Sequence, residues 1–175
     1  TFGGNITYYM PFGASSNTYL SFDYFRTQFA QQMVVDYEYG MNQIHFYALD
    51  GNRSFTDNYQ VDFSVDPVER FNITATFRYT NAKIELAGKG LVEKPMTSRF
   101  KGVLNLQYAT NLNKWIFDFT ASLNGSCRVY NFMEGLKDAD GNLLYKDGRT
   151  PVYPLLYAQV TRRFKGWDVY IGAEN

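Results

Sequence analysis

The sequence predicts an all-β chain, an antiparallel up-and-down transmembrane β-barrel present over residues 1–175 as one partial barrel domain of about eight strands. Three observations predict it. Apolar and polar residues alternate with a period of two over many segments, a period that a helix cannot use. Aromatic residues make up 18% of the chain, with 15 Tyr and 15 Phe, a bias toward strands. The connections alternate between tight turns and long loops, the asymmetry of barrels whose periplasmic turns are short and whose extracellular loops are long.

The elements follow in order. A first strand is expected over 5–10, then a short link, "FGASSN", at 12–17. The second strand, 18–29, puts Leu20, Phe22 and Tyr24 on one face and Ser21 and Asp23 on the other. Residues 30–55 form a long region with "MVVDYEY" as a short strand and "IHFYALDGNRSF" beyond it. The third strand, 59–65, alternates Tyr59, Val61, Phe63 and Val65 with polar residues, and "DPVER" at 66–70 reads as a turn opened by Asp-Pro. The fourth runs from Phe71, through Ile73, Ala75, Phe77 and Tyr79, with extended character to Leu86. A Gly/Lys/Pro-containing loop covers 87–98. The fifth strand is 100–108, "TNLNK" turns at 110–114, and the sixth carries Trp115, Phe117, Phe119, Ala121 and Leu123. A polar tract at 124–154 precedes the seventh strand, 155–164, a Lys165-Gly166 turn and the eighth strand from Trp167. Every sequence neighbour can be a spatial neighbour, unlike a Greek-key sandwich.

On this reading Val61, Phe63, Ile73, Ala75, Phe77, Trp115, Phe117, Val169 and Ile171 face lipid. Gln60, Asp62, Thr74, Thr76, Arg78, Asn105, Gln107, Asp118 and Thr120 face the lumen. Aromatics at strand ends, Phe71, Tyr79, Phe100, Tyr108, Phe164 and the two tryptophans, read as interfacial, with Trp115 and Trp167 on the turn side. The turn at 165–166 then makes the eighth strand run outward and the first run inward, so the expectation is a middle-to-late piece of a larger barrel. A self-contained eight-stranded barrel in the opposite orientation is the alternative.

Seventeen Lys+Arg balance seventeen Asp+Glu, which gives no electrostatic footprint for nucleic acid. No apolar run is long enough for a transmembrane helix. His45, the one histidine, has no companion ligands in its segment and reads as a loop residue. Cys127 lies beside Arg128 with no base in its vicinity, so no nucleophile is assigned. "DADGN" at 138–142 lacks the terminal glutamate of a calcium loop, Arg149 standing in its place, and reads as a turn. No catalytic residue, cofactor or metal is expected.

"RRFKGWDVYIGAEN", "FDYFRTQF", "VVDYEY", "FYALDGNRSFTDNYQVDF", "EKPMTSRFKGVLNLQYAT" and "PLLYAQVTRRF", in this order and spacing, resemble the TonB-dependent outer-membrane receptors of Bacteroidota, over nearly the whole chain. The resemblance implies the C-terminal part of a 22-stranded barrel, without the plug and the final strand. It implies the bacterial outer membrane as location, with lipid bilayer and lipopolysaccharide around the wall. TonB and the plug domain would be partners through an N-terminal part, and there is room for a surface lipoprotein. The implied function is active import of a scarce nutrient or complexed ligand, energised by TonB; the alternative is a passive porin or small barrel without a plug. A barrel enzyme and a soluble carbohydrate-binding β-protein are weaker readings. Loops 30–57, 81–99 and 124–154 would supply the capture site. Tyr37, Tyr39, Phe46, Tyr47, Tyr130, Phe132 and Tyr145 are the ligand-contact candidates, because rings stack on sugars or on the aromatic arms of a chelator.

Overall fold

A computed structural model describes residues 1–14, 18–51 and 53–175. Among the described residues the expected alternation becomes eleven strands: β1 (Phe2–Tyr9), β2 (Tyr19–Gln28), β3 (Gln31–Asp36), β4 (His45–Asp50), β5 (Phe55–Val68), β6 (Phe71–Leu86), β7 (Gly90–Glu93), β8 (Phe100–Ala109), β9 (Trp115–Asn124), β10 (Tyr153–Arg163) and β11 (Asp168–Glu174). The main sheet is an antiparallel meander in the order β1-β2-β5-β6-β8-β9-β10-β11. β7 folds back onto the far end of β6, and β3 and β4 form a separate hairpin. Among the described residues the sheet is not closed: β1 pairs with β2 alone and β11 with β10 alone. Among the described residues no helix is long and apolar enough to cross a membrane.

The eight expected strands are the eight members of the main path, with shifted ends. β1 starts at Phe2 rather than at residue 5, and β5 starts at Phe55 rather than at 59. "DPVER" is a turn only at Glu69-Arg70. Asp66 and Pro67 lie in a register shift between Val65 and Val68 inside β5. A bulge is a place where Pro, which cannot donate to the ladder, fits. Asn72 Nδ2 donates to Asp66 Oδ1 at 2.7 Å across this irregularity. Residues 15–17 of the "FGASSN" link lie outside the described residues, as does Asn52 of the long region at 30–55.

The register sorts most side chains by polarity, although Phe25, Val103, Ile116, Leu155 and Tyr157 fall on the polar face. Cross-strand rows on one face read Ile6, Phe22, Val61, Phe77, Gly102, Leu123, Pro154, then Tyr8, Leu20, Phe63, Ala75, Leu104, Ala121, Leu156. Further toward the short turns come Val65, Ile73, Leu106, Phe119, Ala158, Ala173, then Phe71, Tyr108, Phe117, Val160, Ile171. The other face carries Asn5, Asp23, Gln60, Arg78, Lys101, Asn124 and, below, Asn72, Gln107, Asp118, Gln159. Its polar groups are laced together: Thr76 Oγ1 donates to Asp62 Oδ1 at 2.6 Å, Asn105 Nδ2 to Thr120 Oγ1 at 2.8 Å and Gln107 Nε2 to Asp118 Oδ1 at 2.8 Å. All nine residues expected on the apolar face share it, and all nine expected on the polar face share that one.

Among the described residues no second layer packs against the apolar face. Phe22, Phe77, Leu104, Phe117 and Ile171 are exposed. Among the described residues the buried apolar side chains are Val34, Val65, Ala82, Leu86 and Val129, and four of these five lie at the long-loop end. The sheet is thus held by its backbone ladder, while the packed core sits among the loops.

Candidate functional site in the long loops

Three long loops converge at one end of the sheet into a cap. The first is the β3–β4 hairpin, paired from Gln31 with Asp50 to Asp36 with His45. At its tip Asp36 is buried, and its carboxylate accepts from Glu38 N at 2.8 Å and from Tyr47 Oη at 3.2 Å. The second loop contains β7, and Ala87 N donates to Tyr47 Oη at 3.1 Å, tying hairpin to sheet. The third, 125–152, is clipped to the second by Met96 N donating to Arg128 O at 2.9 Å.

Arg128 joins all three. Its Nη1 lies 2.7 Å from Glu38 Oε1, an ion pair whose N–H is not aimed along the hydrogen-bond direction. The same nitrogen donates to Glu93 O at 3.1 Å, and Nη2 donates to Asn131 Oδ1 at 2.7 Å. Asn131 N donates to Glu38 Oε2 at 2.7 Å. The Glu38 side chain is 1% exposed, so removing Arg128 would strand a buried charge.

Glu93 makes a second junction. Arg149 donates to it from Nη1 and Nη2, both at 3.0 Å, and Arg99 donates from Nε at 3.0 Å and from Nη2. Burial works against its charge, but the hydrogen bonds from Arg149 and then Arg99 outweigh that and hold the carboxyl at about 2.

Of the seven candidate aromatics, the cap brings three together. Tyr37 and Tyr130 have ring centroids 5.6 Å apart, and Tyr130 stacks on Phe132 at 6.0 Å. Burial, then the neighbouring Tyr37 and the acids Glu38 and Asp36, push the Tyr130 hydroxyl above its ordinary range. A hollow of about 70 Å³ lies between Tyr37 and Tyr130 and is also lined by Asp36, Glu38 and Lys94. Tyr39 belongs to a separate group, stacked on His45 at 4.5 Å with Lys89 Nζ 4.9 Å from its ring. Tyr47 is a strut of the hairpin through its two hydrogen bonds. Phe46 is exposed on β4, and Tyr145 stands before a 3-10 turn at Lys146–Gly148, apart from the three grouped rings. The larger apolar hollows lie elsewhere, between side chains of the open sheet face at Leu106, Phe117 and Phe119 and at Val61, Phe77 and Leu104.

The charged junctions were not visible in the sequence. Glu38 and Asn131 are 93 residues apart, and no pattern in the sequence links them. "DADGN" forms a turn in which Asp138 accepts from Asn142 N at 2.8 Å and Asp140 N at 3.0 Å, so its carboxylate serves the backbone. Among the described residues no cluster of three or more His, Cys, Asp and Glu could hold a metal. What the cap offers chemically is a rigid, charge-braced mount for a small aromatic surface. No family model, curated protein or solved structure matches the chain.

Proposed function

We propose that the sheet is part of the wall of a β-barrel in the bacterial outer membrane, and that the chain is part of a TonB-energised importer whose long loops capture a nutrient or complexed ligand. One observation carries the reading: an apolar face bounded by two aromatic rows. At the loop end Tyr24, Tyr59, Tyr79 and Phe100 stand side by side, with Tyr24 and Tyr59 4.9 Å apart. At the turn end stand Phe71, Tyr108 and Phe117, followed by Trp115, Phe164 and Trp167. From Tyr79 to Phe71, both on β6, the chain covers about 27 Å along the strand. A tilt of ~40° reduces this to about 20 Å, close to the ~25 Å apolar band of a barrel wall. Phe77, Ala75 and Ile73 are the residues of that face in between. Water is a poor solvent for such a face and lipid a good one. The open edges at β1 and β11 need partners in lipid, because unpaired backbone groups there cost several kcal/mol each, and further wall strands would supply them.

Import from the outside follows from the resemblance together with the cap: tight turns on one side, and on the other a braced group of loops presenting Tyr37, Tyr130 and Phe132. The test of the wall is spin labelling in a Cys127→Ser background. Labels at positions 73, 75 and 77 should be accessible to oxygen and shielded from a water-soluble nickel chelate, with the reverse at 74 and 76. Both sets accessible to the chelate would overturn the reading. Planar-bilayer conductance of the protein from its membrane separates the alternative: a steady open channel means a passive porin, and a channel that opens only after urea means a plugged importer.

A further inference from the structure

Arg162 lies at the turn-end margin of the apolar face, where it pairs between Trp115 and Val169. Its guanidinium carbon lies 4.7 Å from the centre of the Trp115 ring and 5.3 Å from that of Phe164. Phe164 in turn stacks on Trp167 at 4.3 Å. Among the described residues no carboxylate pairs with it. The nearby Asp168 lies on the opposite face and accepts from Arg163 Nε at 3.3 Å. Lys114 and Lys165, both exposed, flank Trp115 and Phe164 in the chain and add to the positive charge.

Rings attract a cation, yet they leave the N–H fork of a guanidinium without acceptors. A half-buried arginine set in an aromatic row is therefore short of an anion, and the anion that matches its planar fork is one with two oxygens side by side. With the sheet as a membrane wall, this height is where headgroups begin. We infer that Arg162, framed by Trp115, Phe164 and Trp167, docks the phosphate of a phospholipid headgroup at the turn-side interface. The inference rests on the wall reading.

The chain has two tryptophans, and both belong to this cluster, so their fluorescence reports the lipid held there. The protein is reconstituted in mixed vesicles of phosphatidylcholine and a digalactosyl lipid, with bromine on the acyl chains of one or the other. Both lipids are electrically neutral, and only the first has a phosphate. In competition, brominated phosphatidylcholine should quench several-fold more effectively than its share of the mixture. Arg162→Gln should bring the two lipids level, and Arg162→Lys should keep part of the preference. Equal quenching in the unaltered protein, or a preference that survives Arg162→Gln, overturns the inference and leaves the wall standing. No quenching by either lipid overturns the wall reading itself. A preference lost in Arg162→Gln and retained in Arg162→Lys excludes misfolding as the cause.

Discussion

The wall and the cap are stabilised in opposite ways. Across the wall, side chains on one face remain exposed, and order comes from backbone pairing along eight strands in sequence. In the cap, regular pairing is sparse and order comes from buried side chains: Val34 and Val129 at 0% exposure, and the Glu38–Arg128 and Glu93–Arg149 junctions. The wall draws its remaining stability from whatever solvent covers its apolar face, so it depends on environment. The cap carries its own core and should keep its shape in water. On the proposed reading, loops that meet ligand outside a membrane and strands that stay within one would need this division.

The largest expected effect tests the wall. Phe77→Arg places a charge mid-face and should cost roughly 2–4 kcal/mol of folding free energy in lipid. Thr76→Arg, one residue back and facing the polar side, should cost much less. The measurement is equilibrium folding into vesicles in urea. Equal costs would mean that the two faces meet the same solvent.

Glu38→Ala tests the cap. It leaves the Arg128 charge, whose side chain is 17% exposed, without its carboxylate. About 3 kcal/mol of cap stability should go, the lower end of the ~3–5 kcal/mol range for a broken buried pair. Amides of 31–36 and 125–132 should exchange faster with deuterium, while those of β8 and β9 stay protected. Uniform loss of protection would show cap and wall to be one cooperative unit.

Acid sharpens the same comparison. Glu93 is held at about 2, below its ordinary 4.5. A lowered carboxyl contributes stability that is complete above 4.5 and is lost as pH falls through about 2. Arg99 is half exposed, which discounts the contribution to about 1–2 kcal/mol. Between these pH values the 87–99 and 125–152 loops should loosen before the ladder does, and Glu93→Gln should remove that pH dependence. Simultaneous loss of loop and ladder protection would contradict the division.

The wall was legible in the sequence and the cap was not, for a physical reason. A strand with one apolar and one polar face must alternate, so Phe71 to Tyr79 declares both its period and its faces. The errors there lie at ends. Asp66-Pro67 reads as a turn because Pro favours turns, and it sits in a bulge because a ladder tolerates a missing donor there too. In the cap, Glu38, Arg128 and Glu93 meet through contacts between distant loops that have no period to display. The aromatic candidates were chosen by type alone, and type does not distinguish Tyr47, fastened by its hydroxyl, from Tyr37, packed against the Tyr130 ring.

The smallest effect concerns a turn of the wall. Gly166 closes the β10–β11 hairpin with φ +95°, and a Cβ there would meet nothing within 4 Å. Gly166→Ala therefore introduces no clash and isolates backbone strain. The cost should be about 1 kcal/mol, the left-handed penalty of an L-residue. Gly166→Asn should cost less, since Asn visits that region more readily. Phe164 N donates to Trp167 O at 2.9 Å across the turn, so loosening it should reach the stacked Phe164 and Trp167 rings. The change should appear in β10–β11 amide exchange and leave the cap amides untouched. An Ala variant as protected as the parent would mean that the hairpin re-forms with another turn, and that the wall sets its register by pairing alone.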